Sequence, residues 1–213
     1  DQKRLIETEI EKQSVEVLLK NILPDQIAEK LKNDPTHIAE HHESACILFA
    51  DICGFTAMSS NVEPGELVSL LNELFSMFDK YDLNKIKTSK LTLCLSDSLT
   101  AFSSVACDAV GDCYMVASVP AVEHSDNACK RVFHFALDLL YALARFNRHN
   151  PGHQLNLRVG INEGPVVAGV VGTKRFVYDI WGDAVNLASR MESTGVPGRV
   201  QVTKAVVYAT SDT

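Results

Sequence analysis

The 213-residue chain is long enough for one domain with a sizeable hydrophobic core and a flanking element. Its formal net charge of -7 argues against a nucleic-acid-binding protein, because such proteins usually carry a basic face. No apolar run is long enough to cross a bilayer, and the first residues do not have the pattern of a signal peptide. The six cysteines lack zinc-like spacing and are interpreted as reduced thiols of a cytosolic domain.

The first predicted element is a helix. In residues 1–20 apolar side chains recur every three or four positions, which places them in one stripe. This stripe fits a parallel coiled coil that continues upstream, and it fits equally a helix docked on its own domain. We therefore divide the chain into a signalling or coiled-coil helix at 1–22 and a globular domain at 23–213. A second helix is expected around Pro24, which suits a first helical turn.

The next elements carry stronger signals. The apolar run "SACILFADI" predicts a buried strand, "CGFTAMSS" a turn, and "PGELVSLLNELFSMFDKY" a helix with one apolar face. "NKIKT" and "VGDCYM" look like the two strands of one β-hairpin. Residues 89–109 separate those two strands and contain neither glycine nor proline, and whether they are an insertion into the hairpin depends on the family pattern described below.

Toward the C-terminus, "DCYMVASVP" predicts a strand and residues 124–150 predict a long helix. "LNLRVGINEG" and "PVVAGVVG" are predicted to form a strand pair around a glycine-containing turn. "GDAVNLASRMEST" predicts a helix and "GRVQVT" a strand. Strands and helices alternate while hairpin strands stay adjacent, which indicates an α+β fold rather than a doubly wound parallel sheet.

Two aspartates stand at predicted strand ends. Asp51 follows an apolar strand, and Asp112 lies at the hairpin turn. A carboxylate at the edge of a core is costly unless it is neutralised, and a bridging hard cation such as Mg²⁺ would neutralise both. Either residue alone is more often an ordinary turn aspartate. The backbone N–H groups that follow Gly54 can cradle a phosphate chain.

Three further polar residues have informative positions. Asn186 and Arg190 are four residues apart and therefore share one helix face. An arginine there can stabilise charge on a phosphoryl group, although a surface salt bridge is the commoner role. Arg158 stands between apolar strand residues, where a buried cation needs an anionic partner.

Four ordered motifs together resemble the catalytic domain of class III nucleotidyl cyclases, the adenylyl and guanylyl cyclases. They are "ILFADICGFT", "VGDCYMVAS", "LRVGINEGPVVAGVVG" and "YDIWGDAVNLASRMESTG", and the resemblance runs from about residue 20 to the end. It implies a ferredoxin-like βαββαβ core with additional helices and strands. "NILPDQIAEKL" is similar to the helix that enters this domain in receptor-type members.

The resemblance also implies where metals and phosphates bind. Asp51, Asp112 and the backbone carbonyl of Ile52 would hold two Mg²⁺ or Mn²⁺ ions. The triphosphate would be contacted by Arg158 and by the turn formed by Gly54, Phe55 and Thr56.

The resemblance further implies that Asn186 positions the ribose and Arg190 stabilises the transition state. In this family the active site forms between two catalytic domains. Because this chain carries both aspartates as well as Asn186 and Arg190, a homodimer would make two complete sites.

Base recognition implies ATP as the substrate. The family reads the purine with a residue three positions before the glycine of the hairpin turn, which counted literally is Asp108, an unusual choice. With residues 89–109 removed, Lys87 takes that place, as in adenylyl cyclases. The second base reader would be Asp179, again the adenylyl choice, which can accept a hydrogen bond from the adenine amine. The alternatives are a guanylyl cyclase and a catalytically silent domain that dimerises or binds nucleotide.

Two departures from the family pattern remain. Residues 89–109 are either a retained intron in the gene model or a surface loop, which a domain tolerates because closure cost grows slowly with length. A C-terminal strand pair with a basic triphosphate contact is expected after the last residue of this chain. The N-terminal helix would connect this cytoplasmic domain to an upstream sensor or to the membrane domain of a receptor-type cyclase.

Overall fold

A computed structural model of the protein describes residues 39–85, 92–94, 113–118, 128–172 and 177–211. The predicted helices before residue 39 lie outside these ranges. The chain forms two compact units: the larger contains His42–Val166 and Trp181–Thr213, and the smaller contains Asp1–His41 and Val167–Ile180.

Strands and helices alternate along the described chain. The strands are β1 (Ala39–Ile52), β2 (Thr92–Cys94), β3 (Cys113–Ser118), β4 (Leu157–Val171), β5 (Val177–Trp181) and β6 (Arg199–Val202). The helices are α1 (Phe55–Ser59), α2 (Pro64–Lys85), α3 (Ala128–His149), α4 (Asp183–Ser193) and α5 (Lys204–Thr210).

The sheet has the order β2-β3-β1-β4, with β5 and β6 both paired to β4. β3 runs antiparallel to β1 and to β2, whereas β6 runs parallel to β4. A βαββαβ chain with this strand order is a ferredoxin-like core, and β5, β6, α4 and α5 are additions to it. The predicted α+β, ferredoxin-like class is therefore confirmed.

The hydrophobic core of the larger unit lies between the sheet and helices α2 and α3. Leu70, Leu71, Leu74 and Phe78 of α2 are buried, which confirms the predicted apolar face. The rings of Phe75, Phe78 and Phe135 surround Tyr114 of β3, with centroids 5.6–6.3 Å apart. Of these, Phe78, Phe135 and Tyr114 are fully buried, and each such side chain stabilises the fold by about 1.5–3 kcal/mol. This core fixes β1, which carries the candidate metal ligand Asp51, and its neighbour β3.

The predicted turn inside residues 157–171 is wrong. β4 continues through Gly164 and Pro165 without interruption. A Cβ at Gly164 would lie 3.0 Å from the Cβ of Ala184, so this glycine permits close contact with α4 and does not form a turn. Pro165 is exposed in the strand. The packing of a helix on the strand thus overrides the local turn signal.

The predicted hairpin also differs from the structure. Helix α2 extends to Lys85, so the first two residues of "NKIKT" are helical, while residues 86–88 lie outside the described ranges. The strand beside β3 is β2, with Thr92 opposite Ser118 and Cys94 opposite Val116. Part of the segment predicted to be an insertion thus forms an edge strand, for which its β-branched and apolar residues are suited.

Three short elements were not predicted. Helix α1 occupies most of the expected turn, and β5 and α5 have no counterpart among the sequence predictions. Within the described ranges, no helix has the length and apolar character needed to span a membrane. The four cysteines whose side chains are described, Cys46, Cys53, Cys113 and Cys129, form no disulfide with one another.

Candidate active site

Asp51 lies near the end of β1, opposite Cys113 of β3. Its side chain keeps 20% of its accessible surface. The strand ends here because Gly54 has φ of +77°, a left-handed conformation that glycine adopts readily. The N–H of Cys53 donates to the carbonyl of Asn156, 2.8 Å away, which holds this turn against the residues that lead into β4. The carboxylate is thus presented at the edge of a fixed strand.

Arg158 of β4 connects two carboxylates. Its Nη2 donates to Oδ2 of Asp51 at 2.8 Å, and its Nε donates to Oε1 of Glu192 at 2.9 Å. The prediction that Arg158 needs an anionic partner is confirmed, and Arg158 has two such partners, Asp51 and Glu192. Glu192 was missed by the sequence analysis, although it stands two residues after Arg190 in "RMEST". Charge-assisted bonds of this length are among the stronger polar contacts in proteins.

Burial shapes the electrostatics of this cluster. It raises the pKa of Glu192, and the hydrogen bond from Arg158 only partly offsets that rise. Burial lowers the pKa of Arg158, but the hydrogen bond and charge of Glu192, with smaller contributions from Cys53 and Asp51, raise it above its ordinary value. Burial also raises the pKa of the neighbouring Cys53 thiol. The cluster holds two carboxylates and one guanidinium, so one carboxylate remains available to balance a cation.

The donor atoms at this position suit a hard cation. Asp51 offers carboxylate oxygens and Ile52 a backbone carbonyl, which are the oxygen ligands that Mg²⁺ and Mn²⁺ prefer. Within the described ranges, no group of three His, Cys, Asp or Glu side chains makes a complete metal site. Asp112, the second predicted ligand, immediately precedes β3 and lies outside those ranges. The described residues therefore fit half of the predicted two-metal site.

Helix α4 lies directly on the backbone of β4. A Cβ at Gly160 would be 2.0 Å from the backbone nitrogen of Glu192, so only glycine allows this contact. Near the other end of the helix, buried Asn162 donates from Nδ2 to the carbonyl of Ala184 at 2.9 Å. Oδ1 of Asn162 accepts a hydrogen bond from the hydroxyl of Thr203 at 2.8 Å. The orientation of α4 is therefore fixed at both ends.

Asn186 and Arg190 project from the exposed side of α4. Among the described residues, no side-chain hydrogen bond or ion pair joins either of them to Asp51, Arg158 or Glu192. The structure thus brings Asp51, Arg158 and Glu192 together, and among the described residues no side-chain bond connects the two predicted catalytic residues to them.

The predicted phosphate turn consists of Gly54, Phe55 and Thr56. The carbonyl of Gly54 accepts from the N–H of Met58 at 3.0 Å, which begins α1 at Phe55. The N–H groups of the first helical turn have no intrahelical acceptor, so the backbone geometry is compatible with an anion. Their contact with phosphate stays a prediction.

Of the two predicted base readers, the structure describes Asp179, on β5 of the smaller unit, and Lys87 lies outside the described residues. Oδ1 of Asp179 accepts a hydrogen bond from the N–H of Ile180 at 2.8 Å, which orients the carboxyl group. Burial raises the pKa of Asp179, and that hydrogen bond partly counteracts the rise. Its neighbour Tyr178 is buried.

Residues 38–212 match the family model described as the adenylate and guanylate cyclase catalytic domain. The chain belongs to this family. An adenylate cyclase from Mycobacterium tuberculosis is 41% identical over 209 residues, which are 96% of this chain and 42% of that protein. Retinal guanylyl cyclase 2 from Bos taurus is 38% identical over 97% of this chain and 17% of its own length. The chain thus spans less than half of the curated relatives that it matches.

A solved structure supports the same assignment. The catalytic core of a rhodopsin-guanylyl cyclase with converted specificity, in complex with ATPαS, is similar with a TM-score of 0.64 and 28% identity. The match covers 80% of this chain and 83% of that one. The predicted resemblance to nucleotidyl cyclases is therefore confirmed at the level of the family.

Proposed function

We propose that this domain is an adenylyl cyclase that converts ATP to 3′,5′-cyclic AMP and pyrophosphate. The observation that carries the proposal is the cluster of Asp51, Arg158 and Glu192, which presents an oxygen-donor site beside an arginine in a domain of the cyclase family. In the reaction the ribose 3′-hydroxyl attacks the α-phosphorus, the bond to the β-phosphate oxygen breaks, and the hydroxyl proton is lost.

Two Mg²⁺ or Mn²⁺ ions, held by Asp51, Asp112 and the carbonyl of Ile52, would neutralise the triphosphate and lower the pKa of the attacking hydroxyl. Arg158 can bind the phosphates, because its guanidinium lies beside the Asp51 carboxylate and its side chain keeps 31% of its surface exposed. The N–H groups of the turn at 54–56 would add contacts to the phosphate chain.

We further propose that the active enzyme is a homodimer. Asn186 and Arg190 are exposed on α4 and lack described side-chain partners, as expected of residues that serve the site of a second chain. Trp181 precedes these two residues in the sequence and Leu187 lies between them, and each leaves 40% of its surface exposed. Exposed aromatic and aliphatic side chains around polar ones are typical of protein interfaces. Each chain would then contribute one half of two active sites.

Selectivity for ATP rests on Asp179 and, if residues 89–109 are absent from the working enzyme, on Lys87 as well. Asp179 accepts from the adenine amine, whereas guanine presents an acceptor at that position, so the mismatch costs about 1–3 kcal/mol. Support for this choice comes from the similarity to an adenylate cyclase, but the retinal guanylyl cyclases are nearly as similar. A guanylyl cyclase is therefore the second candidate function.

The test measures cyclic AMP and cyclic GMP from ATP and GTP with Mn²⁺, for this chain, for a chain without residues 89–109, and for Asp179→Cys. We expect cyclic AMP formation and a loss of selectivity for ATP in Asp179→Cys. Higher activity with GTP in the wild-type chain would favour the guanylyl cyclase. Nucleotide binding without turnover in both chains would favour the silent domain.

The same chains test the role of residues 89–109. If only the shortened chain is active, Lys87 reads the base and the segment is foreign to the enzyme. Activity of the chain as written would instead show that the segment, of which residues 92–94 form β2, is tolerated in the working enzyme. Since this chain spans 42% of its mycobacterial relative, we also propose that the full protein holds an upstream sensor or membrane domain, with the catalytic domain in the cytoplasm.

A further inference from the structure

We propose that Glu192 is a positioning residue that holds Arg158 by its Nε atom, so that the Nη2 group of Arg158 can exchange between Asp51 and a substrate phosphate. The proposal rests on the cation site of the proposed function, because Asp51 is the carboxylate that Arg158 would give up. It assigns a role to a residue for which the sequence analysis gave none.

The two bonds of Arg158 use different nitrogens of one planar guanidinium. Nε bonds to Glu192 and Nη2 bonds to Asp51, at 2.9 and 2.8 Å. A guanidinium presents its donors in a fixed fork, so either bond can be kept while the other changes partner. The geometry therefore separates an anchoring contact from an exchangeable one.

Burial shows which contact is the anchor. The side chain of Glu192 is 10% exposed, that of Asp51 is 20% exposed, and that of Arg158 is 31% exposed. Glu192 is also the residue whose backbone nitrogen lies against Gly160, where no Cβ could fit, so its main chain has no room to shift toward β4. A deeply placed carboxylate on a fixed backbone is the rigid end of the cluster, and Asp51 is the end open to ligands.

This arrangement has a consequence for the cation. Arg158 neutralises Asp51 in this structure and therefore competes with a cation for that carboxylate. The bond to Glu192 keeps the guanidinium beside the site, where its freed nitrogens can meet the triphosphate. Without Glu192, the guanidinium would have Asp51 as its only described carboxylate partner and could bind both oxygens of that group. Loss of Glu192 should therefore make Arg158 a stronger competitor for Asp51.

The experiment measures Mn²⁺ affinity of the nucleotide-free chain, by electron paramagnetic resonance of free Mn²⁺. The variants are Glu192→Gln, Arg158→Gln, their double variant, and Asp51→Asn. Glu163→Gln is a matched control, since Glu163 is another partly buried glutamate, bonded to Ser44 at 2.8 Å. We expect Glu192→Gln to weaken Mn²⁺ binding about tenfold in the wild-type background and to have little effect once Arg158 is replaced.

An equal loss of Mn²⁺ affinity from Glu192→Gln in the wild-type and Arg158→Gln chains would overturn the proposal. It would show that the charge of Glu192 acts directly on the cation. An unchanged affinity in Glu192→Gln would also overturn it. Glu192→Asp gives an answer that does not depend on the folding of the Arg158 variant: it keeps the charge but shortens the side chain by one methylene. We expect it to weaken Mn²⁺ binding, whereas a purely electrostatic role predicts wild-type affinity.

Failure of the proposed function has a different signature. If Asp51→Asn binds Mn²⁺ as tightly as the wild type, Asp51 is not a metal ligand and the cyclase site itself is wrong. Asp51→Asn could instead abolish Mn²⁺ binding while Glu192→Gln weakens it equally in the wild-type and Arg158→Gln chains. In that case only the role of Glu192 is wrong. These binding measurements need no turnover, so they separate the two conclusions.

Discussion

The two sides of helix α4 differ in how their polar groups are satisfied. On one side Glu192 is nearly buried and bonded to Arg158, which is bonded in turn to Asp51. On the other side Asn186 and Arg190 are exposed, without described side-chain partners. Buried polar groups are expensive unless they are paired, whereas exposed ones cost little. The Asp51, Arg158 and Glu192 cluster is therefore satisfied within the chain, whereas Asn186 and Arg190 are left accessible on the surface of α4.

If the exposed side serves only catalysis, Arg190→Ala should abolish activity without changing stability. We expect kcat to fall about 10²–10³-fold, since a group that stabilises transition-state charge is lost. The free energy of unfolding should stay within about 0.5 kcal/mol of the wild type, as for most surface substitutions. Kinetics and chemical denaturation of the same preparation check both values. A large loss of stability would show that Arg190 belongs to the folded core of the chain.

The buried side should show the opposite behaviour. In Gly160→Ala the added Cβ would meet the backbone of Glu192 at 2.0 Å, so α4 must move away from β4. We expect a loss of about 3 kcal/mol in the free energy of unfolding, at the upper end of overpacking effects. Gly152→Ala is the control, since a Cβ there meets nothing within 4 Å. Equal stability of both variants would mean that α4 is not held by this contact.

Asp179 on β5 allows a further test, because its protonation should change the preference for ATP over GTP. Burial raises the pKa of Asp179, so its carboxyl group takes up a proton at a higher pH than an ordinary aspartate. A protonated Asp179 no longer accepts equally well from the adenine amine and can donate to the guanine carbonyl. The ratio of ATP to GTP turnover should therefore fall by up to about tenfold as the pH decreases through this pKa. Asp179→Asn should remove the pH dependence, and a wild-type ratio that is constant with pH would refute the role of Asp179.

The smallest expected effect concerns the residue before Asp179. The hydroxyl of Tyr178 is buried and has no hydrogen-bond partner among the described residues, and burial raises its pKa to about 12. Tyr178→Phe removes an unsatisfied polar group, so we expect no loss of stability and a gain of up to about 1 kcal/mol. Thermal unfolding at neutral pH measures it. A clear destabilisation would reveal a partner for the hydroxyl in the folded protein.

Sequence reasoning worked where the signal is local. The apolar periodicity of α2 reflects burial of one helix face, and the apolar run of β1 reflects burial of both strand faces. The predicted helix and the predicted strand are both confirmed. The need of Arg158 for an anionic partner was also predictable, because a charge between apolar strand residues cannot stay unpaired. The polar spacing of Asn186 and Arg190 placed them correctly on one helix face.

Sequence reasoning failed where long-range contacts decide. Gly164 and Pro165 have the composition of a turn, but close packing with Ala184 keeps them in a strand. Glu192 could not be assigned, because its partner is 34 residues away in the sequence. The edge strand β2 comes from a segment that the family pattern marked as an insertion. In each case tertiary packing, which no local pattern encodes, determines the outcome.

The most direct test of the account mixes two inactive chains. Asp51→Asn lacks a metal ligand but keeps Arg190, and Arg190→Ala lacks that arginine but keeps Asp51. If each site combines Asp51 of one chain with Arg190 of another, an equal mixture should recover about one quarter of wild-type activity by random pairing. Cyclic AMP formation after subunit exchange measures the recovery. A mixture that forms mixed dimers yet stays as inactive as its components would contradict the shared site.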